Sequence, residues 1–191
     1  MELHAESHDR STLVYGLAER FKIIKAGGNF MAVEQIPKVS VRPSFRFLYS
    51  SRIEIDPPLI VGQSPYGERR IINITGGRFS GPRLSGRVLA GGADWQIIRP
   101  DGITEVEARY TLEAEDGALI YIYNRGLRHG PPEVIARLAS GEDVDPGAYY
   151  FRTTPVFETG ASDYAWLNGI VAIATGQRQA DEVIITVYEV T

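Results

Sequence analysis

The chain contains no cysteine. That excludes a disulfide framework, a thiol nucleophile and a thiolate metal site together. Lysine is almost as scarce. Only Lys22, Lys25 and Lys38 occur, against 17 arginines, so a Schiff-base or pyridoxal-phosphate lysine would have to come from the first fifth of the chain. No G-x-x-x-x-G-K-[ST] loop is present to cradle a phosphate. The three histidines, His4, His8 and His129, are too scattered for a three-histidine zinc or iron site, and no metal is expected. The G-x-S-x-G elbow that would expose a nucleophilic serine is also missing. No apolar run approaches the roughly 18 residues of a membrane-spanning helix, so no membrane partner is expected. The opening MELHAESHDR has no export-signal core, which with the lack of cysteine points to the cytoplasm. With 24 acidic and 20 basic residues the net charge is −4, and nucleic acid is not an expected partner.

What is present is ordinary globular material. The 191 residues are 43% apolar and 23% charged, enough to build one domain around a real core. Residues 11–28 carry Leu13, Leu17, Phe21 and Ile24 at helical spacing. Ser11 or Thr12 can cap and Gly27-Gly28 can stop, so a helical arm is expected, within an N-terminal extension over 1–44. From Phe45 onward the period changes to two. Nine strands are expected, at 45–55, 69–77, 83–90, 94–99, 104–114, 118–124, 148–158, 166–174 and 182–190, each rich in β-branched or aromatic residues. Asp101-Gly102 and Asp116-Gly117 are hairpin signals, with positive φ expected at both residues. One excursion, 125–147, contains a short helix with Pro132 in its first turn and Gly141 past its end; such a crossing can plug or cover a barrel mouth. The predicted class is therefore all-β with minor α: an antiparallel barrel of eight or nine strands over 45–191.

The stretch from Gly76 to Trp95 holds six glycines, yet no helix follows it, so it is not a dinucleotide fingerprint. Glycines inside strands instead mark the bulges and bends that curl a sheet into a barrel. The candidate functional residues are the acids, arginines and aromatic residues set within the apolar strands. Asp94 or Glu158 would be general acid or base, and Arg109 or Arg152 would stabilise an oxyanion. Tyr150 or Tyr123 would assist, while Trp95, Tyr110, Tyr164 and Trp166 would help to bind a substrate. Alternation puts Arg109 and Tyr110 on opposite faces, and groups Tyr150 with Arg152 and Tyr121 with Tyr123. It does not say which face is the lumen.

The strings DPPL (56–59), GERRIINITGGRFSGPRLSGRVLAGGADW (67–95), YYFRTTPVFETG (149–160) and YAWLNGI (164–170) resemble the bacterial and fungal domain-of-unknown-function family 3237. The likeness runs from about residue 45 to 190. It implies a calycin-like or allene-oxide-cyclase-like antiparallel barrel, commonly a homodimer or larger, and no settled activity. Three functions are open on this reading. The first is a cofactor-independent isomerase, lyase or cyclase acting by proton transfer on an oxygenated small molecule inside the barrel mouth. The second is a barrel that binds a small organic ligand without changing it. The third is an oligomer-forming barrel with no pocket.

Overall fold

The structure is a computed structural model. It describes the backbone of residues 21–26, 29–34 and 41–191, and the side chains of 41–191. Two units separate, Met1–Arg42 and Pro43–Thr191.

In the first unit, β1 (Phe21–Ala26) pairs antiparallel with β2 (Asn29–Glu34). The helix expected over 11–28 is therefore wrong over 21–26. FKIIKA places adjacent β-branched isoleucines between lysines, which suits a strand better than a helix. The remainder of that expected arm lies outside the described residues.

The second unit is a closed antiparallel barrel. Its strands are β3 (Phe45–Ile55), β4 (Leu59–Ser64), β5 (Gly67–Ser80), β6 (Ser85–Val88), β7 (Gly92–Ile98), β8 (Thr104–Ala114), β9 (Leu119–His129), β10 (Tyr150–Glu158), β11 (Ala172–Arg178) and β12 (Glu182–Val190). A helix, α1 (Pro132–Ala139), follows β9. Eight positions go round the barrel, because two pairs of strands are bent single strands. β6 and β7 lie end to end between β5 and β8, with a one-residue slip between Arg78↔Arg87 and Ile74↔Gly92. β3 and β4 likewise share one side of β5, interrupted by Asp56-Pro57-Pro58, where proline cannot donate to a ladder. The pairing β12–β3 closes the circle, continued by mutual backbone hydrogen bonds between Ser44 and Thr191.

The glycines act as close-approach points. Gly77 has φ +136°, and a Cβ there would collide with the Arg52 carbonyl of β3. The two Asp-Gly turns are present, but only Gly102 (φ +83°) and Gly117 (φ +87°) take positive φ; the aspartates do not. Each aspartate instead accepts the backbone N–H two residues on, at 3.1 Å from Ile103 and 3.0 Å from Ala118. α1 begins on Pro132 and ends against Gly141 (φ +84°), as its sequence predicts. Residues 166–169, expected as strand, belong to a 3₁₀ segment, Ser162–Gly169, so that β11 starts only at Ala172 and runs on to Arg178.

The barrel interior divides into two halves. One is solid: Tyr49, Phe79, Leu112, Ile120, Phe157 and Val187 are all at most 5% exposed, and Tyr49 stacks edge-on with Phe79 at 5.5 Å. Leu167 of the 3₁₀ segment is buried in the same core, with Tyr164 and Trp166 packed against it. The other half, between the opposite ends of the same strands, is not filled.

Candidate functional site

The unfilled half holds a narrow void of about 50 Å³, walled by isoleucines from β3, β5 and β12, by Val106 of β8 and by Phe151 of β10. Polar side chains from five strands reach into it: Asp94 and Gln96 (β7), Tyr110 (β8), Asn124 and Arg128 (β9), Thr153 (β10) and Arg178 (β11). Ile72, Gln96, Arg128 and Arg178 also line a second space of about 590 Å³ at the barrel mouth, which α1 walls with Ile135, Ala136, Leu138 and Ala139. The void is thus the inner end of a vestibule roofed in part by the excursion helix.

Strand phase places each of these groups. In β7, Ala93 is buried, Asp94 and Gln96 turn inward, and Trp95 between them is outside. Asp94 also sits at a break in the sheet. The β7–β8 ladder pairs Ala93↔Arg109 and Asp94↔Ala108, then resumes at Ile97↔Glu105. The register would set Trp95 opposite Glu107 and Gln96 opposite Val106, but neither pair forms. The Glu107 N–H donates to Asp94 Oδ1 at 2.8 Å, and the Trp95 carbonyl accepts from Arg69 Nη1 at 2.9 Å. Two side chains therefore take up the Glu107 N–H and the Trp95 carbonyl where the ladder is interrupted. Gln96 Nε2 donates to Asp94 Oδ2 at 2.6 Å, so both carboxylate oxygens are held.

Burial drives the Asp94 pKa above the ordinary aspartate value. The bonds from Gln96 and Glu107 and the charges of Arg128 and Arg178 oppose that rise without cancelling it. Burial also weakens the hold of Arg128 and Arg178 on their protons, though a guanidinium keeps its charge near neutral pH. Burial raises the Tyr110 phenol as well, so it stays neutral.

The two arginines are poorly satisfied. Arg178 reaches only backbone carbonyls, Ala180 at 3.3 Å and Glu182 at 3.4 Å. Arg128 has no hydrogen-bond or ion-pair partner among the described residues and lies 5.7 Å from the Phe151 ring centre. Asn124 Oδ1 and Thr153 Oγ1 are buried without partners as well, and the Tyr110 hydroxyl meets only that of Tyr49. Among the described residues no cluster of three metal-ligating side chains occurs.

Of the residues expected from sequence to form a site, only Asp94 and Tyr110 face the lumen. Trp95, Arg109, Tyr123, Tyr150, Arg152 and Glu158 lie on the outer face, because the inward phase of β8, β9 and β10 is taken by Tyr110, Asn124 and the Phe151–Thr153 row. Arg109 pairs with Glu107 at 2.8 Å and stacks on Tyr123, and Tyr150 stacks on His129 at 4.8 Å. Tyr164 and Trp166 pack at the solid end, where Arg83 lies over the Trp166 ring. They are remote from the void in the fold. Missed were Gln96, Asn124, Arg128, Thr153 and Arg178. The signal for Arg128 was available: Ile120, Ile122 and Asn124 mark an inward phase that reaches Arg128 once β9 is run past residue 124.

The profile of the family described as "Protein of unknown function (DUF3237)" matches residues 43–190. The chain belongs to this family. A UPF0311 protein of Rhodopseudomonas palustris is 44% identical over 145 residues, which is 76% of this chain and 95% of that protein. The crystal structure of a conserved protein of unknown function from Rhodopseudomonas palustris aligns with TM-score 0.76 and 41% identity, covering 80% of this chain and all of that one. More distant is the hydroalkoxylation enzyme phnH of Penicillium herquei, 26% identical over 133 residues, 70% of this chain and 74% of that protein. A crystal structure of an enzyme from Penicillium herquei shares the fold, with TM-score 0.62 at 21% identity over 82% of this chain and all of the other. The DUF3237 barrel therefore has at least one named enzyme among its relatives.

Proposed function

We propose that this DUF3237 protein is an acid–base enzyme of the isomerase, lyase or cyclase type, acting without a bound cofactor on a small oxygenated organic molecule in the barrel lumen. The observation that carries the reading is a carboxyl group buried in the lumen and held at both oxygens, on the same void as two guanidinium groups that lack good acceptors; burial pushes its pKa up. Asp94 moves the proton. Gln96 and the Glu107 N–H fix its orientation, which keeps the carboxyl in a reacting geometry. Arg128 and Arg178 hold the oxygen on which charge develops, and a low-polarity wall strengthens that interaction.

Hydroalkoxylation, the activity in the distant relative's name, adds an O–H across a C=C bond. The chemistry suits this set when the alkene is conjugated to a carbonyl. Ionised Asp94 takes the hydroxyl proton as oxygen bonds to the β-carbon. The C=C electron pair moves to give an enolate oxygen facing the arginines. Asp94 then returns the proton to the α-carbon, and the carbonyl reforms. The reverse sequence is an elimination, so cyclase and lyase are two directions of one reaction.

The test is solvent-deuterium incorporation at the α-carbon of β-alkoxy ketones and of hydroxy-enones. Wild-type protein is expected to catalyse exchange, and Asp94→Asn to lower the rate by about 10²–10⁴-fold, the usual contribution of a positioned acid–base group. Exchange that survives Asp94→Asn at the wild-type rate sinks the assignment. Ligand binding with no exchange on any of these compounds would favour the non-catalytic binding barrel instead.

A further inference from the structure

The void is bordered by more unsatisfied donors than a resting core tolerates. Arg128 has no partner among the described residues, and Arg178 has only two long contacts to carbonyls. The Thr153 hydroxyl, able to donate, is buried and unpaired on the same wall, and the Tyr110 hydroxyl meets only that of Tyr49. Charges elsewhere around the mouth are matched: Arg70 pairs with Glu68 at 2.6 Å, and Asp101 with Arg99 at 2.5 Å. The imbalance is confined to the inner end. There one carboxyl group lines the void against two guanidinium groups; the exposed Asp181 acts on Arg178 from outside, which leaves Arg128 as the cation that only Asp94 offsets. A buried cation without an acceptor is costly, and the cost is removed by any anion that fits.

Shape adds a second constraint. The inner void of about 50 Å³ takes only a small group, whereas the vestibule outside it is about 590 Å³. The vestibule wall carries Pro58, Ile98, Ile103, Ile135 and Leu138, an apolar surface contributed by both the sheet and α1. A ligand that satisfies both spaces has a compact oxygen-bearing head and an apolar body the size of one or two rings.

We infer that the natural ligand is a monoanion with a planar two-oxygen head, a carboxylate or the enolate of a 1,3-dicarbonyl, whose head docks on Arg128 and Arg178 while its apolar body lies under α1. This deepens the functional reading above and rests on the same lumen. Arg128, with its fork of donors unused, is the residue that selects for the charge, since a guanidinium binds a two-oxygen anion in bidentate fashion. Ile135 and Leu138 make α1 the wall that selects the body.

Isothermal titration of the full-length protein with 2-naphthoate and with its uncharged counterpart 2-naphthamide tests the claim. Benzoate and benzamide serve as a smaller pair. The carboxylate is expected to bind at least about tenfold more tightly than the amide, a difference of about 1.4 kcal/mol. In Arg128→Gln that preference should collapse to about threefold or less, and in Asp94→Asn it should persist or grow, because a like charge has been removed. Arg178→Gln supplies the same comparison if Arg128→Gln does not fold. Naphthoate should shift the backbone NMR signals of Ile135 and Leu138 and leave Glu158 unmoved. Equal affinity for acid and amide, retention of the preference in the arginine variant, or no binding by either acid overturns the inference. Its failure is separable from that of the enzymatic reading. Charge-selective binding without deuterium exchange keeps this inference and loses the enzyme, while exchange without charge selection does the reverse.

Discussion

Asp94 is surrounded by groups that pull its protonation in opposite directions. Burial favours the neutral acid, while Gln96, the Glu107 N–H, Arg128 and Arg178 favour the carboxylate. The sign of a variant's effect follows from which side it removes. Arg178→Gln takes away a positive charge that stabilises the ionised form, so Asp94 holds its proton to higher pH. Where Asp94 serves as base, the acidic limb of the pH–rate profile for deuterium exchange moves upward in this variant; an unmoved or lowered limb contradicts the arrangement. The outward residues make the complementary control. Glu158→Gln and Arg109→Ala alter exposed side chains away from the void, and exchange rates should stay within about twofold of wild type, as expected for substitutions that touch no reacting group. Alternation showed which residues share a face, and it correctly opposed Arg109 to Tyr110. Choosing the lumen face needed the apolar phase of each whole strand. In β10 that phase runs Phe151, Thr153, Pro155, Phe157, which leaves Tyr150, Arg152 and Glu158 outside. Arg128 and Arg178 escaped notice because both lie in the last turn-ward residues of their strands, beyond the stretch where β-branched residues announce a strand.

At the level of elements, the interrupted β7–β8 ladder is the feature most closely tied to Asp94. Arg69 holds the Trp95 carbonyl, and Asp94 holds the Glu107 N–H, so the two strands stay apart at this point. In Arg69→Met the Trp95 carbonyl loses its donor, and the Trp95/Glu107 pair is free to close. Asp94 then loses the Glu107 hydrogen bond, and its titration moves further upward. The Glu107 amide reports this directly: in wild type its NMR shift follows the Asp94 titration, and in Arg69→Met that dependence should vanish. A Glu107 amide that tracks Asp94 equally in both proteins would show that Arg69 plays no part. A second element-level constraint is Gly176 of β11, where a Cβ would strike the Phe151 ring on the wall of the void. Gly176→Ala is expected to lower stability by about 1–3 kcal/mol through overpacking, read from chemical denaturation. Most strands were readable from their period-two patterns, and β3, β8 and β12 match their expected limits. β4 was hidden because Gly62 and the preceding prolines break its pattern, and the strand within 21–26 was masked by apolar spacing that fits a helix equally well.

At the scale of the whole molecule, one half of the barrel is a solid core and the other holds the polar-lined void on which the proposed chemistry rests. Closure joins β3 to β12 across most of the chain, so the core at the solid end forms only when distant segments meet. Leu112, fully buried there, should cost about 2–5 kcal/mol on replacement by alanine, the range for a core cavity. Ile60 on β4 is 59% exposed, and Ile60→Ala should change stability by no more than about 0.5 kcal/mol. Equal losses at the two positions in urea denaturation would contradict this division. Leu112→Ala should leave the void's lining intact, since that residue contributes nothing to it. The role of Asp94 is tested most sharply by ¹³C NMR titration of its carboxyl in the wild-type protein. In the ligand-free protein the midpoint is expected above the ordinary aspartate value of 3.8, and with 2-naphthoate bound it should rise further, because a nearby anion disfavours the ionised carboxylate. A midpoint at or below 3.8 in the ligand-free protein would mean that Asp94 is an ordinary ion-pair carboxylate, and the proposed reacting group would be lost.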